Sequence, residues 1–407
     1  MTQATLAEQY TEAAVSAASV HRGDPDWLVE RRAEAARAFA ALPMPTQALR
    51  PWRYTDVAGL DPAGFAAAAA SVRIDGAVPA GAFVGSLADG AVNVAAVRER
   101  LGSLLTATES RFLAANAAKW GADGVLVHIP RGVAFAGPIT ITVDASAVVN
   151  EAVYPRLLIV AEERSEATIV VRTTSGDAPV MAAGAIEVFA GQASQVRLLL
   201  DDRWGAQTRD FTWVRGRLER DSNFQVGSIA MGGLLVKQTV EALLEGEGST
   251  SGIRAVALGD ANQHFDFVTL QDHIGPRTTS FVEVKSALAG ASRQAYYGIT
   301  RIGLDAVGAD ADQTNRNLLL SNEAKADSDP VLEILTANIA RCGHHAAVGP
   351  VDAEALFYMQ SRGLDMRGAL QLLVSGFFYS VVGEFGLPEI ADELSGRVQA
   401  KLATATL

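Results

Sequence analysis

The middle of the chain consists of short runs in which apolar and polar residues alternate. The run from Pro138 to Val143 alternates strictly, which is typical of a half-buried β-strand. Similar strand-like runs occur at 124–130, 157–160, 168–172, 195–200, 211–214, 265–270 and 281–285. Turn clusters fall about 13 to 18 residues apart in the later part of this region, so a strand and its turn fill each interval and leave no room for a helix between strands. The pattern therefore excludes a doubly wound nucleotide-binding fold and predicts a sandwich, a barrel or a β-solenoid.

Both ends of the chain show the residue spacing of amphipathic helices. Leu28 and Phe39 belong to an apolar series at helical intervals that ends at Pro43. Beyond the β-rich middle, Asp352 and Asp365 are candidate N-caps of two further helices. We therefore predict three parts, which are an N-terminal helical region (1–118), a β core (119–349) and a C-terminal helical domain (350–407).

Composition narrows the class of protein. The chain has 407 residues, of which 49% are hydrophobic, so a large folded core is expected. Its formal charge of −12 argues against a nucleic-acid partner, which would require a basic surface. A single cysteine excludes an intramolecular disulfide, and together with the lack of a leader-like start it predicts a cytoplasmic protein. The most membrane-like run, Gly368 to Val382, is shorter than the roughly 20 residues that a bilayer requires, so we expect a buried helix and no membrane contact.

Sequence motifs for catalysis are also missing. The chain has no GxxxxGK[ST] phosphate loop, no HExxH, no CxxC and no nucleophile elbow. We therefore predict a protein that is not itself an enzyme.

The candidate chemistry centres on the single cysteine, Cys342, which stands two residues before His344. In an extended segment side chains alternate, so Cys342 and His344 would share one face and His345 would point away. Sulfur and imidazole nitrogen are ligands for zinc, iron or an iron–sulfur cluster. Two ligands do not complete a four-coordinate site, so a second chain is the natural supplier of the others. A lone cysteine is also often a small buried apolar residue, which leaves a purely structural role open.

A longer pattern surrounds this pair and extends over more than fifty positions. It comprises Asp312–Ser321, Ala324, Asp327, Pro330, Leu332–Ile334, Ala346, Val348–Gly349, Ala355–Tyr358 and Ser361–Gly363. The pattern resembles the SufB/SufD family, the scaffold proteins of the SUF iron–sulfur cluster assembly system. The Trp-Arg-Tyr-Thr-Asp run that begins at Trp52 and the segment 263–285 resemble this family as well. SufB-type chains carry a cysteine near the start of the stretch that corresponds to 314–321. This chain has none there, so it resembles the SufD branch.

The resemblance implies a right-handed parallel β-helix core between two helical regions. It implies a scaffold subunit that pairs with a SufB-like paralogue and docks the SufC ATPase, and it leaves a homodimer of the isolated chain open. At the interface, Cys342 and His344 would offer ligands to a transient iron–sulfur cluster, with no cofactor held tightly by the chain alone. The family pattern does not include the second histidine, His345, so either imidazole could be the cluster ligand. The position in the sequence favours His344. A neighbouring imidazolium would lower the pKa of Cys342 and favour its thiolate. The C-terminal residues that we expect to dock SufC are Leu356, Phe357, Leu370, Leu373 and Phe377.

Three alternatives remain open from the sequence. A β-helix can also carry a carbohydrate-active enzyme, with carboxylates or Ca²⁺ in a groove along the solenoid. By residue type, His264, Asp266, Asp272 and His273 could form a metal cluster, although alternating positions on separate strands need not converge. Trp52 and its neighbour Tyr54 either pin a loop to the core or take part in binding.

Overall fold

The computed structural model describes residues 3–385 and 387–407. The chain forms a parallel β-solenoid of about 8 turns with helices before and after it. The helices are α1 (Gln3–Glu8), α2 (Glu12–Arg22), α3 (Asp26–Ala41), α4 (Leu87–Asn93), α5 (Ala95–Arg100), α6 (Arg111–Lys119), α7 (Ala353–Ser361), α8 (Met366–Val382) and α9 (Pro388–Thr404). Within the described residues, no helix combines the length and the apolar character that a membrane crossing requires.

The strands lie between α3 and α7, and helices α4 to α6 stand between β3 and β4 in the chain. They are β1 (Ala66–Ala67), β2 (Ser71–Asp75), β3 (Phe83–Ser86), β4 (Gly124–Ile129), β5 (Ile139–Ala145), β6 (Glu151–Val153), β7 (Arg156–Ala161), β8 (Glu166–Ser175), β9 (Val180–Ala190), β10 (Gln195–Arg203), β11 (Arg209–Leu218), β12 (Asn223–Ala230), β13 (Leu235–Leu244), β14 (Thr250–Gly259), β15 (His264–His273), β16 (Thr279–Leu288), β17 (Arg293–Ile302), β18 (Asp310–Leu319), β19 (Lys325–Ile334) and β20 (Arg341–Pro350). The solenoid resolves the choice that the sequence pattern left open. Three of these strands, β1 to β3, lie inside the region that we predicted as helical.

From β7 onward, successive strands alternate between two sheets. Sheet A has the order β19-β17-β15-β13-β11-β9-β7-β4-β3, with β1 and β6 beside it, and sheet B has the order β2-β5-β8-β10-β12-β14-β16-β18-β20. In sheet B, Gln195 pairs with Asn223 and Asp310 pairs with Arg341. Each coil therefore takes about 30 residues, because a parallel partner is reached only after the chain has crossed through the other sheet.

A corner with a left-handed residue precedes the strands of sheet B. Arg164, Ala193, Asp221 and Arg277 have φ between 53° and 56°. The next residue is a small hydroxyl residue each time, and the Ser222 hydroxyl donates to the carbonyl of Glu219 at 2.6 Å. The hydroxyl thus satisfies a backbone acceptor at the corner, which stabilises a tight turn without a glycine.

Both faces of both sheets are covered, so most strands are apolar on both sides. One face of each sheet lines the lumen, the interior of the solenoid, where stacked side chains form the main core. The N-terminal helices cover the outer face of sheet A, where Trp52 and Phe112 stack 5.7 Å apart above Phe211. Helices α8 and α9 cover the outer face of sheet B through Val374, Phe378 and neighbouring residues.

The two ends of the solenoid differ. At the N-terminal end, β2 pairs with β5 and β3 pairs with β4 in antiparallel fashion, so these short strands cap the first coil. At the other end, β19 and β20 are the last strands of their sheets and each is paired on one side only within the described residues. We call β19 and β20 the open end. An edge of this kind presents free backbone donors and acceptors to another chain.

Candidate functional site at the open end of the solenoid

Cys342 and His344 lie on β20 at the open end. In the parallel register, Cys342 is opposite Ala311 and His344 is opposite Gln313. The His344 position ends a column of lumen-facing residues that runs through Leu198, Val226, Ile253, Val282 and Gln313. Both side chains therefore stand on the lumen side of the last strand, as the alternation predicts.

Cys342 is half-buried beside a small apolar cluster that contains Ile302 and Ala311. Burial raises the pKa of the Cys342 thiol above its ordinary value, and the nearby carboxylate of Asp312 raises it further. The expectation that an imidazolium would lower this pKa was therefore wrong, because the dominant neighbours are apolar groups and an anion. At neutral pH the thiol stays protonated, and a bound metal would have to displace the proton.

The two histidines have different surroundings. His344 is exposed at the open end. His345 lies on the opposite side of the strand, where its Nε2 is 3.7 Å from the Asp312 carboxylate. Only His344 therefore shares a face with Cys342.

Cys342 and His344 supply one sulfur and one nitrogen donor, and the Asp312 carboxylate lies near Cys342. Among residues 3–385 and 387–407 there is no group of three or more histidine, cysteine, aspartate or glutamate side chains that could hold a metal. A tetrahedral site at this pair would need donors from outside the chain. A second chain that pairs with the exposed edge strands beside Cys342 and His344 could supply these donors.

Of the four residues of the alternative metal cluster, His264 and Asp266 meet at the Thr55 hydroxyl, whereas Asp272 and His273 lie apart from them. Asp266 accepts a hydrogen bond from Lys237 Nζ at 2.6 Å on the outer face of sheet A, and His264 Nε2 lies 3.1 Å from Thr55 Oγ1. His273 faces the lumen, where Ser280 Oγ is 2.8 Å from its Nε2, and burial lowers its pKa to about 4. Asp272 has a raised pKa from burial and lies near Arg301.

Sequence reasoning did not identify Lys237, which anchors the N-terminal region. Its Nζ donates to the backbone carbonyl of Pro51 at 2.5 Å and lies 4.7 Å from the centroid of Trp52. Trp52 is buried in the aromatic cluster above sheet A. Of the two readings of Trp52, the structure thus favours pinning of a loop to the core. A lysine inside the apolar-rich run at 234–243 was the available sequence signal.

The five C-terminal candidates lie at different depths. Leu370 is buried, Leu356 and Leu373 are half-buried, and Phe377 packs partly against the core beneath α8. Only Phe357 is fully presented to solvent, with 73% of its surface exposed. Both helices begin as predicted, since Asp352 caps α7 and Asp365 caps α8. The docking role itself stays a prediction.

Comparison with known proteins gives the family. A family model described as SUF system FeS cluster assembly, SufBD core domain, matches residues 142–377. This match covers β5 to α8 and includes Cys342 and His344.

Similar proteins come from several bacteria. An iron–sulfur cluster assembly SufBD family protein of Mycobacterium tuberculosis is 29% identical over 287 residues, which are 69% of this chain and 71% of the relative. The corresponding protein of Mycobacterium leprae is 29% identical over 290 residues, 69% of this chain and 72% of the relative. The iron–sulfur cluster assembly protein SufB of Bacillus subtilis is 26% identical over 310 residues, 75% of this chain and 65% of the relative. This chain therefore belongs to the SufBD family of the SUF iron–sulfur cluster assembly system.

Proposed function

We propose that this chain is a SufD-type scaffold subunit that works in the cytoplasm without catalytic activity of its own. Its open end pairs with a SufB-like paralogue, its C-terminal helices dock the SufC ATPase, and Cys342 and His344 offer ligands to a nascent cluster between the two solenoids. The observation that carries the proposal is the position of this donor pair, on the lumen side of the last strand beside two unpaired sheet edges.

Exposure of the last coil supports pairing at this end. Ile334 on β19 is 42% exposed and Val348 on β20 is 45% exposed, whereas the equivalent lumen positions one coil earlier, Ile302 and Asn317, are buried. Apolar side chains of this kind gain free energy when a partner covers them, at roughly 25 cal/mol per Å². Backbone pairing along the two edges would give the contact its register.

His344→Ala tests the ligand role. We expect the purified complex of this chain with its SufB-like and ATPase partners to lose several-fold in iron and acid-labile sulfide under anaerobic conditions. Because His344 is exposed, the stability of the chain should change by no more than about 0.5 kcal/mol. His345→Ala is the matched control, since that side chain lies on the other face of the same strand. Unchanged cluster content in His344→Ala would leave the chain a scaffold without a ligand.

The outer surface of α7 and α8 is the proposed docking face for the ATPase. Phe357, Tyr358, Leu372 and Tyr379 expose between 57% and 73% of their surfaces. Leu372 and Tyr379 are seven residues apart and thus lie on the same face of α8. Exposed apolar side chains of this size are typical of a protein interaction site.

Replacement of Phe357 and Leu372 by serine should weaken capture of the ATPase at least tenfold, because both side chains would leave water on docking. The fold should be unaffected, since both side chains are exposed. Val20→Ser is the control, as Val20 on α2 is 65% exposed and lies in the N-terminal region. Affinity can be measured by calorimetry with the purified ATPase. Equal affinity of the double variant and the wild type would place the docking surface elsewhere.

A further inference from the structure

A small cavity lies inside the solenoid and is lined by strands from β4 to β11. Its volume is about 40 Å³, enough for a few water molecules at most. Most of its lining is apolar, but Asp202 from β10 and Asp210 from β11 both border it. Asp202 is 3% exposed and Asp210 is 1% exposed. Two buried carboxyl groups thus border one space in a core where apolar side chains would be expected.

Hydrogen-bond donors surround both carboxyls. Thr173 Oγ1 donates to Asp202 Oδ1 at 3.0 Å, and Gln238 Nε2 donates to Asp202 Oδ2 at 2.5 Å. Thr212 Oγ1 donates to Asp210 Oδ1 at 2.8 Å. The buried indole Nε1 of Trp204 faces Asp210 without completing a hydrogen bond.

In the described part of the chain, no positive charge pairs with either of these carboxyls, Asp202 or Asp210. Arg397 of α9 donates to the Asp202 main-chain carbonyl at 3.2 Å from outside the sheet. Its other nitrogen, like Arg172 and Arg203, binds the neighbouring Asp201, whose side chain points outward.

Two further charged groups border the cavity and are engaged elsewhere. Arg156 pairs with Glu187 at 2.6 Å beneath the N-terminal helices. Asp123 accepts hydrogen bonds from the backbone nitrogens of Gly121 and Tyr154. Neither group neutralises Asp202 or Asp210.

Burial of two unpaired carboxylates is costly, so the pair must hold either a metal cation or a proton. A hard cation such as Ca²⁺ would require six to eight oxygen ligands. Here the threonine hydroxyls, the Gln238 amide nitrogen and the Trp204 indole present donor hydrogens instead. A proton requires no such ligand shell, and Gln238 Oε1 is a buried acceptor that still lacks a donor.

We propose that Asp202 and Asp210 form a proton-binding site inside the solenoid, and that the pair retains at least one proton at neutral pH. Burial raises the pKa of Asp202 to about 7, and burial together with the Asp202 charge raises the pKa of Asp210 well above its ordinary value. Because Arg397 contacts the main chain of Asp202 and the side chain of Asp201, the site lies directly behind the anchor of α9. Loss of the proton would therefore alter the charge next to the attachment of the C-terminal helical domain.

Infrared difference spectroscopy tests for the proton directly. At about pH 6 surface carboxyls are ionised, so the carbonyl band of a protonated acid reports buried groups. Asp123, Glu241 and Asp272 also have raised pKa values, so the spectrum of the Asp202→Asn/Asp210→Asn variant is subtracted from that of the wild type. We expect a residual acid band that weakens as the pH rises from about 6 to about 8.5. No residual band at any pH, or loss of the band on addition of Ca²⁺ or Na⁺, would overturn the proposal.

The pH dependence of unfolding is a second, independent readout. The folded pKa of Asp202 is raised from 3.8 to about 7, so unfolding releases a proton within this window and stability falls as the pH rises through it. Relative to Asp202→Asn, the unfolding constant of the wild type should therefore increase by roughly a hundredfold or more between about pH 5 and 8. Asp144→Asn is the control, because its lowered pKa places any change at acidic pH. A constant ratio between wild type and Asp202→Asn would contradict the site.

Discussion

Replacement of Ile334 and Val348 by lysine is expected to abolish pairing with the SufB-like paralogue. The two residues lie on β19 and β20, one on each sheet of the open end, and both are substantially exposed. In the free chain the lysines can extend into water, so folding should be unaffected. In a paired complex they would be buried without counter-charges, and we expect affinity to fall by roughly a hundredfold or more.

Calorimetric titration of the purified paralogue measures this effect. Val92→Lys is the control, because Val92 is 66% exposed on α4 and far along the chain from the open end. The thermal midpoints of all three proteins should agree. If the double lysine variant binds the paralogue as tightly as the wild type, the pairing surface is not the open end.

Glu187→Gln is expected to cause the largest loss of stability. Glu187 on β9 is fully buried and pairs with Arg156 Nη2 at 2.6 Å. It also accepts hydrogen bonds from the backbone nitrogens of Gly102, Leu104 and Leu105, so one carboxylate joins the N-terminal region to the solenoid. Removal of one charge from a buried pair leaves the other uncompensated, at a cost of about 3–5 kcal/mol.

Urea unfolding of the full chain checks this prediction. Glu163→Gln is the matched control, because Glu163 forms ion pairs at the surface with Arg131 and Arg164. Such a surface pair contributes at most about 1 kcal/mol. If the free energy of unfolding fell by similar amounts in the two glutamine variants, the buried pair would not be what holds the N-terminal region to the solenoid.

Some of the fold follows from local sequence, and the reasons are visible in particular strands. The strict alternation around Ile141 identified β5, because one face of that strand remains partly open. Strand β9 was not predicted, because every residue except Phe189 is buried and the strand therefore shows no alternation of apolar and polar residues. The solenoid period was present in the hydroxyl residues Ser165, Ser194, Ser222, Ser249 and Thr278 at the corners, spaced 27 to 29 residues apart. These residues can be recognised as corners only in the structure, where each follows directly after a residue with positive φ.

At the candidate site as well, some features follow from the local sequence and others depend on residues that are distant in the chain. The shared face of Cys342 and His344 follows from strand alternation alone. The raised pKa of Cys342 depends on Asp312, which precedes it by 30 residues and becomes a neighbour only through the coil register. Buried carboxyls such as Asp202 and Glu187 are only weakly indicated by the sequence, as charged residues next to or inside an apolar run. Their partners lie on other strands, so the sequence does not identify them.

Hydrogen exchange measured on this chain with and without the SufB-like paralogue tests the central claim most directly. If the open end is the pairing surface, backbone amides of Lys325–Ile334 and Arg341–Pro350 should exchange more slowly in the complex, because edge amides gain partners there. Hydrogen exchange in the strands that cap the other end, Ser71–Asp75 and Phe83–Ser86, should be the same with and without the paralogue. Protection that is confined to other parts of the chain, with β19 and β20 exchanging as in the free protein, would contradict the account.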